Sequence, residues 1–211
     1  MKSVGHLTFR FASPWRGTIA PMIWFILGLA LFLGVHSTRV FAEGWRAATI
    51  ARMGEGPWKG IYTVLSIAGF VLLVWGYGQA RQQVPLWDPP AFMRHVTALL
   101  MVPVFVLFVT AYVPRNGIKA KVHHPQVLSV KLWAFAHLLS NGNLADVLLF
   151  GGFLAWAIMS FTAARKRDRA AGKVYPAGTM QGTVVSVIAG LAIYAAFVMG
   201  LHTWLIGVRP V

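Results

Sequence analysis

Two histidines lie inside stretches that are apolar enough to cross a membrane: His36 in residues 22–41 and His137 in residues 127–140. An imidazole at lipid depth is costly to desolvate, so it normally faces the interior of a helix bundle and has a partner there. A pair of neutral imidazoles on facing helices is the simplest way to bind a haem iron. The two residues therefore predict a buried cofactor site, with haem as the favoured cofactor.

The same two residues have a purely structural interpretation. Each imidazole would be a hydrogen-bonded packing residue, and Ser37 or Ser140 would satisfy its polar atoms. Functional use is already the default for an ionisable residue inside a membrane, and two such residues together favour ligation over packing.

The neighbours of each histidine suit a haem. Arg39 lies one turn beyond His36 on roughly the same helix face, where a cation would pair with a propionate. Ala134 and Ala136 are small, so we expect room beside the ring of His137 for a flat macrocycle.

The predicted depths of the two histidines in the membrane argue against one iron that both of them bind. At 1.5 Å per residue, His36 lies ~9 Å from the inner face of the membrane and His137 ~16 Å from it. A shared iron therefore predicts that the short fourth helix begins in a recess, or that its boundary shifts by a turn.

The elements that must position these residues follow from composition. The chain has 211 residues, of which 57% are hydrophobic and 11% charged, with a mean hydropathy of +0.65. Apolar runs near 20 residues, the length that crosses ~30 Å of hydrocarbon, recur along it. The pattern predicts an all-α, polytopic integral membrane protein with about six transmembrane helices, at residues 22–41, 60–80, 94–113, 126–140, 144–164 and 183–207.

The basic residues indicate orientation rather than a nucleic-acid partner, because most of them lie between the predicted spans. If the first span runs inward, 12 lysines and arginines fall in inner loops: Arg39, Arg46, Arg52, Lys59, Arg115, Lys119, Lys121, Arg165, Lys166, Arg167, Arg169 and Lys173. Both termini are then predicted to be periplasmic in a bacterial inner membrane. Zero cysteines exclude disulfides, thiolate metal ligands and thiol nucleophiles.

The first 21 residues disagree with this orientation. Lys2, Arg10 and Arg16 would lie outside, in a basic N-terminal extension that precedes a single transmembrane domain over residues 22–211. Because Met22 opens the first span directly, we expect the true start to be at Met22. The alternative is a cytoplasmic tail with inverted topology.

The other titratable residues are weaker candidates. His123 and His124 precede Pro125 and are either secondary ligands or a loop pair before a helix. His95 and His202 are typical of interfacial placement near helix ends. The acids at positions 43, 55 and 168 look like solvated loop residues, and no carboxylate pair for acid–base catalysis is visible.

Four segments resemble the NnrU family of bacterial membrane proteins. They are LGLALFLGVHSTRV, GEGPWKGIYTVLSIAGFVLLVWGY, WDPPAFMRHVTALLM and HHPQVLSVKLWAFAHLLSNGNLADVLLFGGFLAWAI. The resemblance implies a link to denitrification and nitric oxide metabolism, by genomic association more than by known biochemistry.

The NnrU family is similar in turn to the plant zeta-carotene isomerase, a membrane enzyme that contains haem b and isomerises a cis double bond. Histidines that match His36 and His137 are the proposed iron ligands of that enzyme. A cysteine of the enzyme matches Ala134 here, which excludes a thiolate ligand and puts thiol-linked switching in doubt.

Two alternatives to a haem-dependent isomerase-type reaction stay open. One is a non-catalytic accessory or assembly factor for a respiratory oxidoreductase, such as a nitric oxide reductase complex. The other is a membrane methyltransferase that uses S-adenosylmethionine, because the HHPQ stretch is similar to an R-H-P-x-Y-x-G motif. It ranks lower, since Leu128 and Val130 replace the tyrosine and the glycine, and no glutamate follows Glu55.

Overall fold

The computed structural model describes residues 16–211, with side chains from Ala20 onward. The described part of the chain is helical, and its only β-type pairings are two isolated bridges. The helices are α1 Arg16–Phe41, α2 Glu43–Met53, α3 Glu55–Ala80, α4 Met93–Thr110, α5 Gly117–Val122, α6 Pro125–Ser140, α7 Leu144–Ala170, α8 Met180–Ala196 and α9 His202–Ile206. A π-helical turn, Phe197–Leu201, joins α8 to α9 without a break.

Five of these helical segments are long and apolar enough to cross a membrane, which confirms a multi-pass membrane protein. They are Ala20–Phe41, Glu55–Ala80, Met93–Thr110, Leu144–Ala170 and Met180–Ile206. The fourth predicted span, α6, is a helix as expected but has only 16 residues. At 1.5 Å per residue it is about 24 Å long, shorter than the ~30 Å hydrocarbon layer.

Glycines set the distance between α1 and α3. A side chain at Gly28 would overlap the backbone of Leu73, and one at Gly76 would overlap the backbone of Phe25. The two antiparallel helices therefore touch backbone to backbone, as small residues allow in membranes. This contact fixes which residues of α3 face His36.

A second group forms around α4, which packs against α6 and α8. Thr97 Oγ1 donates to the backbone oxygen of Ala136 at 2.8 Å, and a side chain at Gly190 would overlap the backbone of Val106. The small residues Ala192, Ala196 and Gly200, spaced four apart near the end of the chain, are all exposed and do not mediate this packing. The helix packs instead through Ser186 and Gly190, which are buried.

A helical hairpin joins the two groups, because α7 packs against both α6 and α1. Asn143 and Asp146 form a reciprocal capping box at the start of α7. The φ of Gly142 in the preceding turn is not positive, so this glycine is not in the left-handed conformation. Glycine is needed there because a Cβ would collide with the backbone oxygen of Trp87.

Three connections gather at the end of the bundle opposite this hairpin, and we call that end the basic end. The first is α2, whose Trp45 ring contacts Trp58 of α3 at 5.7 Å between centroids. The other two, residues 111–124 and 171–179, are joined by a hydrogen bond from the Thr179 N–H to the Arg115 oxygen.

The proposed N-terminal extension lies mostly outside the described residues, which begin at Arg16. The first helix already includes Arg16, six residues before the predicted start of the span. The expected start of the chain at Met22 stays a prediction.

Candidate functional site

His36 lies in the last third of α1, where its ring is tied to its own helix. Its Nδ1 lies 2.7 Å from the backbone oxygen of Phe32, one turn earlier. A carbonyl oxygen can only accept, so Nδ1 carries the proton and Nε2 is left with a free lone pair. A histidine that ligates a metal is normally oriented in this way.

The imidazole of His36 lines a groove between α1 and α3 that we call the His36 groove. Its volume is about 270 Å³, and it is lined by Phe32, His36, Tyr62, Thr63, Ser66, Ile67 and Phe70. Ile67 and Phe70 are more than half exposed on the outer surface of the bundle, so the groove opens toward lipid. The volume is slightly below that of a typical enclosed ligand pocket, so a large flat ligand would lie partly against acyl chains.

Buried polar atoms without a hydrogen-bond partner surround His36 in the described part of the chain. They are Ser66 Oγ, which lines the groove, and Trp156 Nε1 on the α7 side. The Trp156 ring meets the imidazole edge-on at 6.2 Å between centroids. Buried polar groups are almost always satisfied, so these atoms and the free imidazole nitrogen offer hydrogen-bonding and ligating capacity that the described residues do not use.

His137 on α6 has the same local hydrogen bond but a different environment. Its Nδ1 lies 2.9 Å from the backbone oxygen of Trp133, so Nε2 is again the free nitrogen. The ring stacks on Phe150 of α7 at 4.8 Å between centroids. It therefore lies in the packed hairpin, not in a groove.

Neither histidine uses the serine that the structural interpretation assigned to it. Both imidazoles bond to the backbone of their own helices, and Ser140 Oγ is the acceptor of a hydrogen bond from Asn141 Nδ2.

The structure separates the two predicted iron ligands. A row of three rings joins them: Phe32 contacts Phe153 at 5.8 Å, and Phe153 contacts Trp133 at 5.5 Å. Along α7, His36 contacts Trp156 and His137 contacts Phe150, a difference of six residues or about 9 Å. The donor chemistry of each imidazole fits haem iron, whereas their positions do not fit one shared iron unless these aromatic rings move.

The space expected beside His137 for a macrocycle is filled. Ala134 and Ala136 are both 0% exposed, and Ala134 belongs to the main hydrophobic cluster with Leu149 and Phe150. The small side chains therefore serve close helix packing, and the expected room at this position is absent.

Arg39 lies where the sequence places it, one turn beyond His36 at the basic end. Its side chain is 61% exposed and its Nε is 3.9 Å from Glu43 Oε2. This weak, exposed ion pair leaves the guanidinium able to pair with another anion. Glu43 itself is not a loop residue, because it opens α2 and pairs with Arg46 at 3.2 Å.

His123 and His124 form a polar network at the basic end, away from both predicted iron ligands. His124 Nε2 lies 2.7 Å from Asp168 Oδ2, and the His123 ring stacks on Tyr175 at 4.1 Å. Burial lowers the pKa of His124, although the bond to Asp168 opposes that shift. Pro125 opens α6, as the interpretation of the two histidines as a loop pair before a helix expects. The prediction that Asp168 is a solvated loop residue is wrong, because Asp168 lies in α7 and its side chain is 15% exposed.

Asp146 has a partner on another helix besides the cap that it forms with Asn143, and this partner was not identified from the sequence. The carboxylate is 3% exposed, and its Oδ1 accepts a 2.6 Å hydrogen bond from the hydroxyl of Tyr77 on α3. The sequence carried a signal for this partner, because Asp146 directly precedes the apolar run of α7. An acid inside a membrane nearly always has a partner.

The helices and the two partly buried imidazoles define a multi-pass helical membrane protein with candidate metal-ligating histidines. The chain belongs to the NnrU family, since the family model described as NnrU protein matches residues 24–210. No curated protein matches this chain, and no solved structure does.

Proposed function

We propose that this NnrU protein binds haem b in the His36 groove, with His36 Nε2 as an iron ligand. The observation that carries the proposal is the Nδ1 hydrogen bond to Phe32, which leaves Nε2 free beside the unsatisfied Ser66 hydroxyl. Haem iron, when bound, supplies a site for a small gas such as nitric oxide or for a lipophilic substrate.

The other residues of the groove then have distinct roles. Phe32, Ile67 and Phe70 supply apolar surface for a macrocycle that enters from the lipid side. Arg39 at the basic end would pair with a propionate. Ser66 Oγ and Trp156 Nε1 can donate hydrogen bonds to a polar ligand beside the imidazole.

His137 is proposed as a second ligand only if the intervening rings move. Swinging of Trp133 and Phe153 would open the packed space between the two imidazoles. The proposal for His36 does not depend on this movement.

A reduced-minus-oxidised absorption spectrum of the protein purified in detergent tests the proposal. We expect a Soret band that His36→Ala lowers at least tenfold. The matched control is His95→Ala, which removes an exposed imidazole on α4 and should leave haem content unchanged. Normal haem content in His36→Ala would refute the assignment.

The same experiment separates the alternatives. Loss of the low-spin signature in His137→Ala, with haem retained, would make His137 the second ligand. Colourless protein that co-purifies with a respiratory reductase would favour the accessory role. Binding of S-adenosylmethionine without porphyrin would favour the methyltransferase.

We also propose that the chain crosses a bacterial inner membrane six times, with both termini in the periplasm. The cations of the basic end would then face the cytoplasm. Because the chain has no cysteine, single cysteines at positions 87 and 166 can be labelled with a membrane-impermeant maleimide. We expect the reagent, added from the periplasm, to label position 87 and not position 166. Labelling of position 166 alone would show that the protein has the inverted topology.

A further inference from the structure

The carboxylates of the chain leave most of the basic end without an ion-pair partner. The chain has 19 lysines and arginines against five acids, and residues 1–15 contain none of the acids. Two acids, Asp88 and Asp146, lie at the hairpin end. Glu43 and Glu55 pair with cations of α1, α2 and α3. Only Asp168 is left for the cations around the end of α7.

Asp168 is already occupied by other donors. Its Oδ2 accepts hydrogen bonds from the Tyr175 hydroxyl at 2.6 Å and from His124 Nε2 at 2.7 Å. Its Oδ1 lies 3.7 Å from Lys173 Nζ. In the described residues it pairs with neither Arg165 nor Lys166.

His123 orients the guanidinium of Arg165. Arg165 Nη1 lies 2.5 Å from His123 Nδ1, and a guanidinium can only donate, so Nδ1 accepts. The neutral ring therefore carries its proton on Nε2. Stacking on Tyr175, with an interplanar angle of 2°, holds the ring in place.

The backbone at His123 is strained in a way that keeps this arrangement. Its φ is +68°, a conformation that residues other than glycine rarely adopt. Such strain persists where the surroundings over-determine it, and it clusters at ligand sites.

The exposed face of α7 changes from apolar to cationic as it approaches the basic end. Ile158 is 44% exposed, and Thr162 follows one turn later on the same face. Arg165, Lys166 and Arg169 continue that face over the next two turns. An acyl chain beside Ile158 would therefore bring its headgroup to these cations.

We infer that the end of α7 binds the phosphate of an anionic phospholipid through Arg165 and Lys166, with His123 holding the Arg165 guanidinium in place. Basic clusters between helix ends at a membrane surface recognise such headgroups. A free phosphate offers the same charge, but it lacks the acyl chain that the apolar face of α7 would contact. The site is independent of the His36 groove.

Native mass spectrometry of the detergent-purified protein tests this inference. Phosphatidylglycerol and phosphatidylcholine with identical acyl chains are titrated separately, and inorganic phosphate is added as a competitor. We expect tighter binding of phosphatidylglycerol, and no displacement by an equal concentration of phosphate. Arg165→Gln and Lys166→Gln should each weaken phosphatidylglycerol binding about fivefold.

Arg209→Gln is the matched control, because it removes one exposed charge at the hairpin end. Equal binding of the two lipids would overturn the inference, and so would an equal loss in Arg209→Gln. Displacement by phosphate would identify a soluble anion as the ligand instead. If Arg165→Gln has a lowered melting temperature, the exposed Lys166→Gln decides alone.

Discussion

The two histidine environments differ in how completely their polar groups are satisfied. Around His137, the hairpin cluster (His137, Asn141, Asn143, Asp146 and Phe150) is tightly bonded: Asp146 accepts from Tyr77 and Asn143, and Asn141 donates to the His137 oxygen. Around His36, buried polar atoms have no partner in the described residues. The comparison teaches that a satisfied polar network holds helices together, whereas polar atoms without partners leave donors and acceptors that the proposed ligand would use.

The largest expected effect tests the hairpin cluster. Asp146→Ala leaves the Tyr77 hydroxyl, the Asn143 N–H and the Asn143 side-chain amide without their acceptor. We expect the free energy of unfolding to decrease by about 4 kcal/mol, because three donors lose their acceptor and each buried donor left unsatisfied costs roughly 1–3 kcal/mol. Unfolding in mixed detergent micelles measures it, with the exposed Asp88→Ala as the control. An equal decrease in both variants would contradict the role of Asp146.

A smaller loss is expected where the hairpin turn meets the connection between α3 and α4. Gly142→Ala places a Cβ against the Trp87 oxygen, so overpacking should lower the unfolding free energy by about 2 kcal/mol. Gly151→Ala is the matched control, because a Cβ there meets nothing within 4 Å and alanine favours a helix by about 1 kcal/mol. Stability changes of the same sign in both variants would argue against the close approach.

Two hydroxyl deletions, one at a hydroxyl with a hydrogen-bond partner and one at a hydroxyl without, compare the two environments directly. Thr97→Val removes the buried hydrogen bond to the Ala136 oxygen and should cost about 1 kcal/mol. Ser66→Ala removes a hydroxyl without a partner, so the ligand-free protein should lose almost no stability. A loss from Ser66→Ala as large as that from Thr97→Val would show that Ser66 Oγ is satisfied without a ligand.

The smallest effect concerns pH at the basic end, where His124 faces Asp168, Tyr175, Lys173 and His123. The pKa of His124 is lowered by burial from its ordinary 6.5, so folding favours the neutral ring. Its contribution is therefore fully present above pH 6.5 and is lost as the pH falls through the lowered pKa.

Melting temperatures measured from neutral to mildly acidic pH test this sign. The wild type should lose more stability than His124→Gln, whose amide can still donate to Asp168 but does not titrate. A parallel decrease in both proteins would assign the pH dependence to other groups.

Local signals in the sequence predicted the helices well. The predicted segments match six long helices to within a few residues at most ends, and the capping box of α7 follows from Asn143 and Asp146 alone. Hydropathy and capping are properties of neighbouring residues, so they can be read without knowledge of the packing.

Packing between distant segments could not be predicted in the same way. Gly142 is explained by Trp87, 55 positions earlier, and the buried face of α8 is set by Val106 rather than by the spacing of its small residues. The sequence predicted which residues could ligate a metal and that both histidines lie inside helices. The separation of their rings by Phe32, Phe153 and Trp133 depends on how three helices meet.

The short length of α6 has a consequence for the surrounding lipid. With 16 residues, its ends cannot both reach the surfaces of a bilayer of ordinary thickness. If α6 crosses the membrane as proposed, headgroups and water descend toward it, or the bilayer becomes thinner on that side of the molecule. Such a local dent would draw the protein toward thinner regions of its host membrane, and would let polar solutes approach the bundle from the side.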